Sequence, residues 1–150
     1  METNVAGEYR SGSRALKAVI AADGNSWSVQ MVSDPMPTII GESYTFKIYV
    51  KALVAGTSIR FSTNPNAMYS GNYTLTTDWT LLTWTFTANE AQTRIALDLG
   101  RYANTYFLDD MEMLAPVIEI DNLLSNGDFE SGSGDHFSNW GKWNGASSLV

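Results

Sequence analysis

Hydrolytic chemistry needs paired carboxylates, a nucleophile beside its base, or a clustered metal site, and this chain spaces its residues for none of these. Asp109, Asp110 and Glu112 follow one another in an apolar run that reads as a strand, while Glu119 and Asp121 fall in the Pro-containing stretch 115–121. A glycosidase sets two carboxyl groups at a fixed separation across a cleft, and no spacing here pairs them. The single histidine, His136, lies in the loop-like Gly134-Asp135-His136-Phe137. One histidine is too few for metal-assisted hydrolysis, and Gly-x-Ser-x-Gly is absent. The expectation is a protein that is not an enzyme.

What the chain does offer is aromatic and planar polar side chains at strand spacing. Asp98 alternates against Ile95, Leu97 and Leu99; Arg60 opposes Ile59 and Phe61; Tyr49 opposes Ile48 and Val50. If the apolar partners face a core, these three face outward, and Arg60 and Asp98 could pair. Each also reads as part of an ordinary solvated face. Tyr69 and Tyr73 sit in a stretch, 66–73, too polar and too rich in turn residues for a core strand. Trp27 shares parity with Val29 and Met31, so alternation alone buries it.

The elements that must position these residues are strands. Tyr44, Phe46, Ile48 and Val50 alternate with Thr45, Lys47, Tyr49 and Lys51, and the same period of two recurs in Ile59-Phe61, Leu82-Trp84-Phe86 and Ile95-Leu97-Leu99. Turn signals separate the runs: Asp23-Gly24-Asn25, Ile40-Gly41-Glu42, Ala55-Gly56, Asn64-Pro65-Asn66, Ser70-Gly71-Asn72 and Asn89-Glu90. No helical period lasts three turns, and residues 89–93 have room for one turn at most. Short strands at this spacing predict an all-β fold, an antiparallel β-sandwich or jelly roll. At 150 residues with 44% hydrophobic content, the chain makes one domain with a core that needs no cross-link.

Charge and composition narrow the partners. A net charge of −7, with nine scattered basic residues, argues against nucleic acid. No apolar run approaches the ~20 residues of a membrane span. The absence of cysteine excludes disulfides, thiol nucleophiles and cysteine-bound zinc. Met1-Glu2-Thr3 does not open a signal peptide, although a module cut from a larger exported protein would have lost its signal.

One segment gives more than a fold class. Asn122-Leu123-Leu124-Ser125-Asn126-Gly127-Asp128-Phe129-Glu130-Ser131-Gly132, followed by Trp140 and Asn144-Gly145, resembles the opening strand of the carbohydrate-binding modules of families four, nine and twenty-two, which accompany xylanases and glucanases. In those modules the segment comes first; here it comes last. The rest of the family pattern runs from Tyr9 to about Leu114. The resemblance thus divides the single module, residues 1–150, into the family's second to last strands (1–114), a connector (115–121) and the family's first strand with its following loop (122–150). It implies a circular permutation or a cut across the boundary of two tandem copies. Residues 123–130 are then expected to pair with 106–113, within one chain as a monomer or by exchange in a strand-swapped dimer.

The resemblance also implies a function: non-catalytic binding of a β-linked plant polysaccharide in a concave cleft, xylan first and mixed-linkage β-glucan next. Such a module targets an attached glycoside hydrolase and is secreted or displayed at the cell surface. Trp27 falls where members stack a Trp on sugar, with Gln30 as its polar partner, and Tyr69 aligns with a second stacking aromatic. Asp98 falls near a polar ligand contact; Arg60, Tyr73 and Tyr49 join as candidates, with Arg101 and Tyr102 weaker. Trp79, Trp84 and Trp140 are expected in the core and Trp143 near the cleft rim. Related modules carry a structural calcium ion remote from the cleft. Its oxygen ligands correspond here to Asp128 and Arg14 through their carbonyls, Glu130, Ser11 and Asp109. Ser11 stands where some members have an acidic residue. The rival reading is an interaction or structural β-sandwich with no sugar site.

Overall fold

The computed structural model describes residues 1–115, 127, 130, 132, 133, 136, 137 and 140–143. Its strands are β1 (Glu2–Thr3), β2 (Ala15–Ile20), β3 (Gln30–Ser33), β4 (Met36–Pro37), β5 (Ser43–Ala52), β6 (Ser58–Asn64), β7 (Tyr69–Thr74), β8 (Thr80–Thr87), β9 (Gln92–Asp98), β10 (Asn104–Leu114), β11 (Gly132–Ser133), β12 (His136–Phe137) and β13 (Trp140–Trp143). A single 3-10 turn, Ser26–Ser28, precedes β3. Residues 89–93, where one helical turn was conceivable, instead bend into the start of β9.

Alternation builds two antiparallel sheets. In the first, ordered β1-β2-β10-β5-β8, strand β5 buries Tyr44, Phe46, Ile48, Val50 and Ala52 on one side. Its register sets Phe46 beside Trp84 and Ile48 beside Leu82, so the inner face is continuous hydrocarbon. The second sheet, ordered β13-β3-β9-β6-β7 with β4 also on β9, contributes Met31, Ile59, Phe61, Ile95 and Leu97. The two inner faces interlock through Phe46 and Phe61, whose rings meet edge to face at 4.9 Å. This is an antiparallel β-sandwich jelly roll, as the strand pattern predicts.

Two irregularities re-aim side chains. In β10 two residues oppose one of β5 between Asp109 and Glu112, and Asp110 takes a left-handed φ of 49°. That bulge keeps Leu108 and Met111 both in the core although they are three apart. In β7 the expected turn Ser70-Gly71-Asn72 is a bulge inside an edge strand, with Gly71 at φ 79°. Glycine takes that angle freely, which explains why a turn signal marks a strand.

The C-terminal part meets the rest of the same chain. β13 pairs with β3, Trp143 opposite Gln30, and the Met111 N–H donates to the Gly127 carbonyl at 3.0 Å. Apart from Gly127 and Glu130, the segment 123–130 lies outside the described residues, as does the 115–121 connector beyond Ala115.

Candidate polysaccharide-binding face

The outer face of the second sheet carries a polar row that register assembles. Gln30 on β3 lies opposite Asp98 on β9, Asp98 opposite Arg60 on β6, and Arg60 opposite Asn72 on β7. Directly opposed residues share a face, so four strands deliver four polar side chains in line. At the hub, Asp98 accepts hydrogen bonds from Gln30 Nε2 (2.6 Å), Arg60 Nε (2.7 Å) and Ser62 Oγ (3.2 Å).

Two candidate aromatic groups are exposed. Trp27 is 55% exposed on its 3-10 turn and Tyr69 is 56% exposed at the start of β7. The turn breaks the alternation that would have buried Trp27 with Val29 and Met31. It is seated on the end of β9: the Gly100 N–H donates to the Ser26 carbonyl, and Ser28 Oγ and N–H both donate to the Asn25 carbonyl. A Cβ at Gly100 would lie 2.6 Å from Val29 N and 2.7 Å from Asn25 O, and closer still to Ser28 Oγ, so only glycine fits. Tyr69 receives the Arg60 guanidinium over its ring at 4.2 Å.

Several expected site residues sit elsewhere. Asp98 has the outward parity expected of it but is fully buried beneath Gln30 and Arg60, so it presents no surface to a ligand. Tyr73 shares register with the buried Ile59 and points inward; its ring packs on Phe61 at 5.1 Å and its hydroxyl donates to the Thr83 carbonyl. Tyr49 belongs to the other sheet. There it lies under the Arg10 guanidinium, in a shallow depression shared with Lys47, Leu81, Asp110 and Glu112. Parity fixes a side of a sheet, not which sheet. Trp84 is in the core, whereas Trp79 is only half-buried, with the Lys51 ammonium 5.3 Å from its ring. Arg101 lies exposed over Tyr102 in the loop after β9. The side chains of Trp140 and Trp143 lie outside the described residues.

Sequence reasoning missed Ser62, Asn72 and Gly100. Ser62 shares the parity of Arg60, and a lone glycine at a strand end signals close backbone approach, so both were within reach. Asn72 was hidden by the turn reading of 70–72.

The expected metal residues gather around one loop, except Asp128, which lies outside the described residues. The fully buried Asp109 accepts the backbone N–H groups of Arg10 (2.8 Å), Ser11 (3.2 Å) and Asp110 (2.8 Å). Burial pushes its carboxyl up to about 6 despite those donors, with the neighbouring Asp110 charge adding to the rise. Glu130 accepts Ser13 N–H (3.1 Å), Ser13 Oγ–H (3.0 Å) and Arg14 N–H (2.9 Å). Ser11 Oγ donates to Asp110, and the Arg14 guanidinium bonds the Gly132 carbonyl and Glu2. Among the described residues no basic side chain pairs with Asp109, and no three His, Cys, Asp or Glu side chains converge as a metal cluster. The hard oxygen donors fit calcium in kind. Further oxygens would have to come from backbone carbonyls.

No protein-family model matches this chain, and no curated protein matches it in sequence. Solved structures do. The unliganded carbohydrate-binding module (CBM) of PbXyn10C is 22% identical, with a TM-score of 0.71 over 92% of this chain and 87% of its own. A CBM4 structure is 21% identical, with a TM-score of 0.56 over 68% of this chain and 84% of its own. The CBM22-1–GH10 modules of Clostridium thermocellum endo-1,4-β-D-xylanase 10B, complexed with xylohexaose, are 13% identical, with a TM-score of 0.55 over 81% of this chain and 26% of theirs. This chain has the β-sandwich fold of the carbohydrate-binding modules found with xylanases.

Proposed function

We propose that this chain is a non-catalytic module that binds a β-linked plant polysaccharide, xylan before mixed-linkage β-glucan, along the outer face of its second sheet. The observation that carries this is a hydrogen-bonded polar row with the exposed Tyr69 ring against its Arg60, and a second exposed ring, Trp27, on the turn that leads into β3. Pyranose C–H faces stack on indole and phenol rings, and planar amide and guanidinium groups bind hydroxyls. Trp27 stands on the turn seated at the end of β9 and Tyr69 on the edge strand β7, so the two rings belong to separate elements, which suits a stretch of chain rather than one sugar. The CBM22-1–GH10 modules that share this fold were solved in complex with xylohexaose, which makes that sugar the first ligand to try.

In this reading the module works outside the cell, holding an attached glycoside hydrolase on its substrate by raising its effective concentration. A structural calcium ion belongs to the same reading. Asp109 and Glu130 would hold it with oxygens from Ser11, Arg14 and Asp128, and it would add positive charge beside the buried carboxylate.

Calorimetric titration of xylohexaose and cellohexaose into the protein and into Trp27→Ala tests the binding reading. The expected result is saturable heat with xylohexaose and an affinity about tenfold or more lower in the variant, a loss of about 1.4 kcal/mol or more. A folded protein giving no heat with either sugar would sink it.

A further inference from the structure

Asp98 falls where a sugar contact is expected, yet it has no accessible surface. Its surroundings define a different role. Resting on the polysaccharide reading, we propose that Asp98 is a positioning residue that sets the charge class of the ligand. It fixes Arg60 and Gln30 and cancels the guanidinium charge, so that the face selects uncharged glycans over uronate-bearing ones.

Three observations converge on this. The carboxylate is covered by its own donors: Gln30 Nε2 and Ser62 Oγ share Oδ1, while Arg60 Nε takes Oδ2. A ligand hydroxyl could reach it only by breaking a buried ion pair, which is strongly unfavourable. Arg60 is held at both ends, by Asp98 along its edge and by the Tyr69 ring against its face at 4.2 Å. It therefore works as a flat, fixed hydrogen-bonding plate rather than a mobile cation. Finally, the pair is neutral as a unit. A ligand carboxylate approaching Arg60 meets the negative charge of Asp98 directly behind it, whereas a hydroxyl meets only oriented N–H groups. Arg94, on the same face of β9 but four residues and about 13 Å away at the usual strand rise, donates to the Ser33 carbonyl instead.

Asn at position 98 keeps the shape and removes the charge. Its amide can satisfy Gln30 and Ser62, but it no longer neutralises Arg60. The positive charge is then released onto the face.

The test compares wild type, Asp98→Asn and the double variant Asp98→Asn/Arg60→Gln. Each is titrated with xylohexaose and with a xylo-oligosaccharide of equal length carrying one glucuronic acid branch. Wild type should prefer the neutral sugar. Asp98→Asn should bind xylohexaose about tenfold more weakly, the scale of one charge-assisted hydrogen bond, and shift the acidic-to-neutral affinity ratio toward the acidic sugar. That shift should shrink on adding salt. The double variant should return the ratio toward wild type, which a merely structural role would not do; if Asp98→Asn alone fails to fold, Arg60→Gln, which leaves the Asp98 charge uncancelled, should shift the ratio further toward the neutral sugar. An unchanged ratio in folded Asp98→Asn, or in folded Arg60→Gln where that variant stands in for it, overturns this inference while leaving polysaccharide binding intact. A folded wild type that binds neither sugar overturns both.

Discussion

Phe61 shows how much one side chain does in this sandwich. It is fully buried, meets Phe46 of the opposite sheet edge to face, and supports the Tyr73 ring on its other side. Its strand neighbours Arg60 and Ser62 point outward into the polar row, so the residue that anchors the core also levels the floor of the site. Phe61→Ala leaves a cavity between the sheets and should cost about 3–5 kcal/mol, read as a drop in the midpoint of denaturant unfolding at unchanged slope. A loss under about 1 kcal/mol would mean that the sheets close over the gap, contrary to interiors packed at crystal-like density. Tyr73 makes the complementary point. Read from sequence it joins the surface aromatics, because its segment is polar. The Gly71 bulge instead turns it onto Phe61, and its phenol, pushed up by burial, bonds a carbonyl of the opposite sheet.

At the scale of elements, the Trp27 site depends on a contact between a turn and a strand end. The 3-10 turn Ser26–Ser28 has no apolar face of its own; the described residues of the turn are held by backbone hydrogen bonds to Gly100 and by Ser28 Oγ. Gly100→Ala would force the turn away from β9, because the new methyl would fall inside the contact distance of Val29 N and Asn25 O. The expected outcome is a stability loss of about 1–3 kcal/mol from overpacking, together with weaker binding of xylohexaose than the stability change alone explains. Retained affinity in a folded Gly100→Ala protein would show that Trp27 does not need its seat. The same contact marks the limit of what sequence alone reveals. The strands were legible because Phe46, Ile48, Val50 and Leu82, Trp84, Phe86 follow a period of two without interruption. Of the candidate site, Arg60 was placed by its parity, whereas Trp27, Gln30 and Tyr69 came from the family resemblance, since alternation alone would have buried Trp27. The site was not legible where a third element intervenes. Gln30 and Arg60 cover Asp98, and the sheet to which Tyr49 belongs follows from strand order, which local alternation does not encode.

On the scale of the whole molecule, the segment around Glu130 and the loop 10–14 are far apart in sequence and joined in space. Glu130 accepts two backbone N–H groups and a hydroxyl from Ser13 and Arg14, while Asp109 on β10 accepts the N–H groups of Arg10 and Ser11. One loop therefore ties the last long strand of the first sheet to the C-terminal part, and two carboxylates hold it from opposite ends. Hydrogen bonds orient those carboxylates, yet burial still pushes the Asp109 carboxyl up to about 6, so keeping it charged works against folding. A calcium ion would convert that liability into a cross-link between distant parts of the chain. Because an ion that binds only the folded state stabilises it by mass action, about 2.7 kcal/mol at a hundred times its dissociation constant, chelation should lower the melting temperature by several degrees, and added calcium should restore it. Magnesium should not, since it tolerates the irregular oxygen sets of protein loops poorly. Binding of xylohexaose well below the melt should survive chelation, because the polar row Gln30–Asp98–Arg60 lies on the other sheet. An identical melt with and without chelator would remove the ion and leave Asp109 held by backbone N–H groups alone.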